Sequence, residues 1–153
     1  MGLAALSEPP DTSGAVTVVR SFFASVSRED LAILRSTLSA DASMGPLAGP
    51  ANAPAERQWE QRLHKLDYKA IGPEPVFRES SIEVYGYRDL ELSEGDRPNR
   101  PAAMTPEDVL VRVPIEIRRM GSDRLFGDEI MFLTRRQDGA FKIRAMLEDF
   151  QPP

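Results

Sequence analysis

The sequence has no cysteine and only one histidine, His64. Without cysteine the chain can form no disulfide bond, bind no metal through thiolates and offer no cysteine nucleophile. With one histidine it cannot build a metal site from several histidines of the same chain. We therefore expect neither a metal ion nor another cofactor.

Positive charge is also scarce, because 19 Lys and Arg stand against 24 Asp and Glu, a formal net charge of −5. Non-specific binding to nucleic acid needs a basic surface, so nucleic acid is not an expected partner. No apolar stretch approaches the roughly 20 residues of a membrane span. Nor does the N-terminal segment have the basic start and apolar run of a signal peptide. A cytoplasmic protein without a membrane partner is expected, with a secreted chain that has lost its signal as the alternative.

The rest of the composition is typical of a globular domain, with 153 residues, 41% of them hydrophobic and 28% charged. That length is enough for one domain with a sizeable core. We predict a single domain over residues 13–150, a flexible N-terminal tail over residues 1–12 and a short C-terminal tail over residues 151–153.

Helical spacing predicts three helices in the N-terminal half. The apolar positions of the first share one face: Val16, Val19, Phe22, Phe23 and Val26. The second starts at a sequence that resembles a capping box, residues 27–30. A loop rich in Gly and Pro follows over residues 41–54, in which residues 42–44 allow a short edge strand. Pro54 then begins the third helix.

The third helix is predicted to run to about Leu66 and to bury Trp59. His64 lies about 140° from Trp59 around a helix that turns 100° per residue. That angle takes it off the apolar face, so His64 is expected at the surface.

Four later segments predict strands or hairpins of one sheet. The first is residues 68–71 and the second residues 81–92. The third is residues 109–119, in which Pro114 indicates a bulge or an exposed edge. Residues 127–150 form a hairpin.

The hairpin is the clearest of these predictions. Asp138 and Gly139 favour a tight type I′ turn, because both central positions need positive φ. The side chains expected to face the core are Asp128, Ile130, Phe132, Ile143, Leu147 and Asp149. The first strand is also apolar on its other face, at Met131 and Leu133, so it is either central or packed against a partner subunit. We therefore expect a homodimer through the sheet.

Three N-terminal helices followed by a curved, mostly antiparallel sheet form an α+β two-layer pattern. With this pattern, residues 13–150 resemble the nuclear transport factor 2-like (NTF2-like) superfamily, which includes SnoaL-type polyketide cyclases and ketosteroid isomerases. Residues 27–34, SREDLAIL, and residues 38–42, LSADA, carry the resemblance. They look like the family's helix–helix junction and the start of its first strand. The resemblance implies a cone-shaped fold with a pocket between sheet and helices, often dimeric through the sheet.

The catalytic residues of the family do not carry over. Phe22 stands where ketosteroid isomerases have an oxyanion-hole tyrosine, and Pro46 stands near their general-base aspartate. Neither side chain can transfer a proton, so steroid isomerisation is not expected. The Asp-Arg-Asp relay of limonene-epoxide hydrolases has no matching motif either. Asp128, Arg118 and Asp149 form such a group only if the register of the strand around Pro114 allows it.

Asp149 is the first candidate for a catalytic residue and Asp128 the second. A carboxylate that faces a core has a raised pKa and can act as a general acid or base. The alternative for both is a solvated strand end or an arginine partner. The candidates for ligand binding are aromatic: Phe22, Trp59, Tyr85, Tyr87 and Phe132. The alternative for these is packing in the core or at the pocket rim.

Two functional hypotheses follow. The favoured one is a non-catalytic module that binds a small apolar molecule or serves to form a dimer. The alternative is a SnoaL-type enzyme, an isomerase, cyclase or dehydratase, with an inward Asp as general acid or base and Tyr85 or Tyr87 as donor. The two differ in whether several titratable groups meet in a water-poor cavity.

Overall fold

The computed structural model describes residues 12–91 and 95–150. Its helices are α1 (Ser13–Arg28), α2 (Leu31–Thr37) and α3 (Ala55–Lys65). They pack on a six-stranded sheet, which confirms the predicted α+β fold class. Apart from Thr12, both predicted tails lie outside the described residues.

The sheet has one parallel neighbour pair, and its other pairs are antiparallel. Its strands are β1 (Leu38–Gly45), β2 (Ala53–Pro54), β3 (Glu83–Gly86), β4 (Val109–Pro114), β7 (Glu129–Gln137) and β8 (Ala140–Leu147). A separate small hairpin pairs β5 (Arg119–Met120) with β6 (Asp123–Arg124). The order across the large sheet is β2-β1-β8-β7-β4-β3. β1 and β8, the parallel pair, therefore lie side by side.

The junction between α1 and α2 forms within the predicted capping sequence, but Asp30 rather than Ser27 is the cap. Glu29 has a φ of 54°, in the left-handed region, and it ends α1. Asp30 caps α2 because its carboxylate accepts a 3.1 Å hydrogen bond from the backbone N–H of Ile33. The Glu29 carboxylate in turn accepts from the backbone N–H groups of Tyr68 and Lys69, which ties the junction to the segment after α3.

The tight turn of the C-terminal hairpin is also confirmed. Asp138 and Gly139 have φ values of 51° and 85°, the positive angles that a primed turn requires. The strands that the turn joins change register between Leu133 and Thr134. Thr134 lies opposite Ile143, whereas Leu133 lies opposite Ala145. β8 therefore carries one extra residue at this point, a β-bulge.

The bulge reverses the faces of the second half of β8, because a shift of one residue turns every later side chain to the other side of the sheet. Ile143 and Met146 pack in the helix-side core, and Leu147 packs on the opposite side. Glu148 is buried, and Asp149 is exposed. The prediction that Leu147 and Asp149 share the face of Ile143 is wrong for this reason.

Four further strand predictions differ from the structure. Within residues 81–92 only Glu83–Gly86 form a strand, and Arg88–Leu90 form a 3₁₀ helix. Residues 42–44 belong to the interior strand β1 rather than to an edge, because β2 pairs with its outer side. Residues 68–71 form a 3₁₀ helix that buries its first and last side chains, which lie three residues apart and so on one side. Pro114 ends β4 rather than lying within a longer strand, since proline has no N–H to donate.

Apolar side chains cover both faces of the sheet. The larger cluster fills the space between the sheet and the helices. On the other face Met131 and Leu133 are buried with Leu90 and Met104, which belong to the connection between β3 and β4. The surface on which a dimer through the sheet was predicted is therefore covered by the chain itself. In the part of the chain that the structure describes, no helix combines the length and the apolar character needed to cross a bilayer.

Candidate functional site

The most unusual feature of the described residues is a buried ion pair between Arg62 of α3 and Glu148, which directly follows β8. Their side chains are 2% and 1% exposed, and Arg62 Nη1 lies 2.7 Å from Glu148 Oε1. Burial of two charges costs several kcal/mol per ion unless each is paired and fully hydrogen-bonded. The surroundings of the pair therefore decide whether it is tolerated.

Hydrogen bonds satisfy both members of the pair. Arg62 Nη2 donates to the carbonyl oxygen of Leu125 at 2.8 Å, and its Nε donates to the Tyr68 hydroxyl at 3.1 Å. Glu148 Oε2 accepts from the backbone N–H of Gly127 at 2.7 Å. The Tyr68 hydroxyl in turn donates a 2.6 Å hydrogen bond to the Leu125 carbonyl oxygen. The ion pair is thus the centre of a closed polar network inside an apolar core.

Gly127 lies where the chain is tightly packed. A Cβ added there would come within 3.0 Å of the Asp149 carbonyl oxygen and 3.1 Å of Glu148 Cγ. The two chain segments approach closely, which lets the Gly127 N–H reach the carboxylate, and a side chain there would require its neighbours to shift by a few tenths of an ångström.

Aromatic rings enclose the guanidinium group of Arg62. Its Cζ lies 3.8 Å from the centroid of the Trp59 ring and 4.3 Å from that of Phe150. Such stacking favours a cation that has left water. Burial raises the pKa of Tyr68 to about 12, against the opposing effect of the Arg62 charge. Tyr68 therefore stays a neutral donor at physiological pH.

A cavity of about 560 Å³ opens beside the ion pair. Its lining comes from the end of β1, from β2, from α3 and from the segment after β8: Met44, Gly45, Pro46, Ala53, Gln58, Arg62, Glu148, Asp149 and Phe150. The volume falls in the range of small-molecule sites, which combine an apolar lining with a few placed polar groups. This cavity is the candidate binding site.

Asp149 lies at the wall of the cavity, but its side chain is exposed rather than buried. Its Oδ1 accepts a 2.9 Å hydrogen bond from the backbone N–H of Leu47. The inward orientation predicted for it is wrong because the bulge in β8 turns Glu148 inward in its place. The burial that was expected for its carboxylate is therefore absent.

Asp128 is also turned outward, contrary to the prediction. Its side chain is 74% exposed and lies 2.9 Å from Arg124 and 3.5 Å from Arg118. β7 begins only at Glu129, and the preceding residues Leu125 and Phe126 occupy the core instead. Asp128 is thus a solvated partner of two arginines.

The five aromatic candidates do not come together. Phe22, Trp59 and Phe132 are fully buried, and Phe22 packs edge-on against the other two at centroid distances of 5.0 and 5.5 Å. They form core rather than cavity wall. Trp59 Nε1 is the only buried side-chain nitrogen or oxygen of the described residues without a hydrogen-bond partner.

Tyr85 and Tyr87 pack on the opposite face of the sheet from those rings. The Tyr85 hydroxyl donates to the Glu83 carboxylate. The guanidinium group of Arg100 stacks on the Tyr87 ring, with its Cζ 3.8 Å from the ring centroid. Neither tyrosine reaches the candidate cavity.

Neither Arg62 nor Glu148 was among the site residues predicted from the sequence. One signal was available for Arg62, which lies three residues after Trp59 and hence on the same helix face. For Glu148 the alternation of β8 indicated the solvent side, and only the bulge overturns that. Across residues 12–91 and 95–150, His, Asp and Glu side chains nowhere gather in the threes that would hold a metal ion.

No model of a known protein family matches the chain, and no curated protein is similar to it in sequence. Solved structures do match. One is an NTF2-like protein of unknown function from Shewanella baltica, at 13% identity and a TM-score of 0.47 over 92% of this chain and 94% of that one. Another is an NTF2-like protein from Burkholderia xenovorans, at 20% identity and a TM-score of 0.40 over 90% and 89%.

A third match is a hexachlorocyclohexane dehydrochlorinase, LinA type 2, at 14% identity and a TM-score of 0.38 over 92% of this chain and 87% of that one. All three lie below 25% identity and below a TM-score of 0.5, so function has to be argued from the residues of the site.

Proposed function

We propose that this chain is a non-catalytic small-molecule-binding module of the NTF2-like type, and that its ligand occupies the cavity beside Arg62 and Glu148. One observation carries the proposal. A cavity of about 560 Å³ has a partly apolar lining, and the two buried charges at its wall already neutralise each other. Such a cavity can hold a ligand but has no spare buried charge to use in a reaction.

The hydrogen bonds that the ion pair already makes argue against a catalytic role for Glu148. A general base takes up a proton and so loses its negative charge. Both oxygens of Glu148 accept hydrogen bonds from Arg62, and one accepts a further bond from Gly127. Protonation of Glu148 would break the network that stabilises Arg62. The pair is better suited to hold the cavity wall in place.

The alternative function is a SnoaL-type enzyme in which Asp149 removes a proton from an apolar substrate in the same cavity. Its support is the position of Asp149 at the cavity wall. Against it, Asp149 is exposed, and the predicted donors Tyr85 and Tyr87 lie across the sheet. Dimerisation as the main role is also less supported, because the chain itself covers Met131 and Leu133.

A screen of small fragments by thermal shift tests the binding proposal. Ala53 lines the cavity, so Ala53→Phe places a ring in it, whereas Ala70→Phe puts the same ring at an exposed position outside it. We expect fragments that stabilise the wild type and Ala70→Phe to lose their effect on Ala53→Phe. Fragments that stabilise all three proteins equally bind elsewhere and would overturn the proposal.

A further inference from the structure

We infer that the ligand of this cavity carries a cationic amine on an apolar body, and that the amine binds the carboxylate of Asp149. The inference rests on the proposed function, since it names the chemical class of the ligand in the same cavity. It follows from the charges that line the cavity and from the hydrogen bonds that those charges already make.

The cavity lining has an excess of one negative charge. Its three ionised side chains are Arg62, Glu148 and Asp149. The first two cancel, since they are paired at 2.7 Å and buried together. Asp149 has no cationic partner among the lining residues. A cationic ligand would therefore complete the charge balance.

An anionic ligand finds no free cation in this lining. Each of the three guanidinium nitrogens of Arg62 already donates a hydrogen bond, to Glu148, to the Leu125 carbonyl or to Tyr68. The rings of Trp59 and Phe150 also lie against this guanidinium group, with centroids 3.8 and 4.3 Å from its Cζ. Four of the five N–H groups of Arg62 have acceptors, and an anion at the remaining N–H of Nη1 would bring a second negative charge beside the buried Glu148 carboxylate.

The carboxylate of Asp149 is held in position for such a contact. Its Oδ1 accepts the 2.9 Å hydrogen bond from the Leu47 N–H, while its Oδ2 makes no hydrogen bond within the described residues. The backbone of Asp149 also lies close to Gly127, where an added Cβ would be 3.0 Å from the Asp149 carbonyl oxygen. A positioned acceptor gives a charge-assisted hydrogen bond to an ammonium group at little ordering cost.

The rest of the lining suits an apolar body. Met44, Pro46, Ala53 and Phe150 contribute side chains without hydrogen-bonding groups, and Gln58 adds one neutral amide. Apolar surface beside a single anchored charge is the usual composition of a small-molecule site. Together they predict an amphipathic amine rather than a sugar, a phosphate or a carboxylic acid.

Three probes of equal chain length separate these classes: hexylammonium, hexan-1-ol and hexanoate. Each is titrated into the ¹⁵N-labelled full chain, and binding is followed through the backbone amides of Gly45 and Gly127 and the side-chain amide of Gln58. We expect hexylammonium to bind about tenfold more tightly than hexan-1-ol, and hexanoate to bind most weakly. The preference for the amine should fall as NaCl is added, since Asp149 is exposed and salt screens its charge.

Asp149→Asn removes the charge and keeps the shape and an acceptor for the Leu47 N–H. It should lower the affinity for hexylammonium about tenfold and leave that for hexan-1-ol unchanged. Asp138→Asn is the matched control, because Asp138 is exposed at the hairpin turn and asparagine tolerates its positive φ. This control should bind all three probes like the wild type.

The outcomes separate the two proposals. If the probes bind in the cavity with equal affinity, or if Asp149→Asn leaves the amine affinity unchanged, the amine inference is wrong while the binding site stands. If no probe shifts the cavity amides and the fragment screen also finds no ligand that Ala53→Phe displaces, the proposed function itself fails. The wild-type series decides the charge preference by itself, whatever the fold of the variant.

Discussion

Arg62 and Glu148 are 86 positions apart in the sequence and form a 2.7 Å ion pair whose side chains are almost fully buried. The pair joins α3 to the end of β8 and makes up part of the cavity wall. A buried pair of this kind is strongly destabilising to break, because removal of one partner leaves an uncompensated charge inside the protein. The pair therefore holds the cavity wall in place, and replacing one partner should lower the stability of the fold.

We predict that Arg62→Met lowers the free energy of unfolding by about 3–5 kcal/mol. Urea denaturation measures the loss, with Arg57→Met as the control, since Arg57 is exposed on the same helix. The double variant Arg62→Met/Glu148→Met should recover part of the loss, because neither charge then remains buried. Equal, small effects of Arg62→Met and Arg57→Met would show that the pair is not buried in solution.

Removal of the Tyr68 hydroxyl group should also lower the free energy of unfolding. Tyr68→Phe removes the acceptor of Arg62 Nε and one donor to the Leu125 carbonyl, and we expect it to cost about 1–3 kcal/mol. Tyr87→Phe, which keeps the ring that stacks on Arg100, should cost much less.

The raised pKa of Tyr68 adds a pH dependence. Its pKa is about 12 in the folded chain and about 10 in the unfolded chain, so the folded state holds the proton more tightly. Its contribution to stability is fully present below pH 10 and is lost as the pH rises from about 10 to 12. Urea unfolding at pH 9 and pH 11 should therefore show a larger loss for the wild type than for Tyr68→Phe. The same loss in both proteins would contradict the assignment.

The junction of the two helices and the turn of the C-terminal hairpin could be predicted because both depend on local chemistry. Asp30 caps a helix with its own side chain, and the turn at Asp138 and Gly139 needs only two residues that accept positive φ. The face of Asp149 could not be predicted, since it depends on an extra residue in β8 that becomes visible only against the register of β7. A one-residue bulge leaves no clear signal in an alternating sequence.

The candidate site was harder to predict than the fold because its parts are distant in sequence. Trp59 was correctly expected to be buried. Arg62, which stacks on it, has the pattern of a solvated helix residue, and only the structure shows its buried partner Glu148. Phe22 and Phe132 are as apolar as a pocket requires, but they fill the core by packing on one another. Sequence patterns indicate which side chains are inside and do not indicate where the packing leaves a space.

A second buried carboxylate, Asp108, anchors the connection that covers the outer face of the sheet. It accepts hydrogen bonds from Arg135 at 2.9 Å, from Arg144 at 2.6 Å and from the backbone N–H of Thr105 at 2.8 Å. Burial by itself would raise the pKa of Asp108, but the hydrogen bonds from Arg144, Thr105 and Arg135 outweigh it and hold the pKa below its usual value. The ionised form is therefore the one that stabilises the fold.

We predict that Asp108→Asn destabilises the protein at neutral pH and that the difference from wild type shrinks in acid. The folded pKa is depressed, so the contribution is present above the unfolded value of about 3.9 and is lost as the pH falls through that value to the lower folded pKa. Urea unfolding at pH 7, 5 and 3 measures it, with Asp123→Asn as an exposed control. A difference that does not change between pH 7 and pH 3 would contradict the prediction.

The most direct test of the binding proposal is native mass spectrometry of the freshly purified full chain, measured beside Ala53→Phe and Ala70→Phe. The proposal predicts a small molecule that stays bound to the wild type and to Ala70→Phe and is absent from Ala53→Phe, because the new ring fills the cavity at Met44, Gln58 and Asp149. A molecule retained equally by all three proteins would place binding outside this cavity and contradict the proposal.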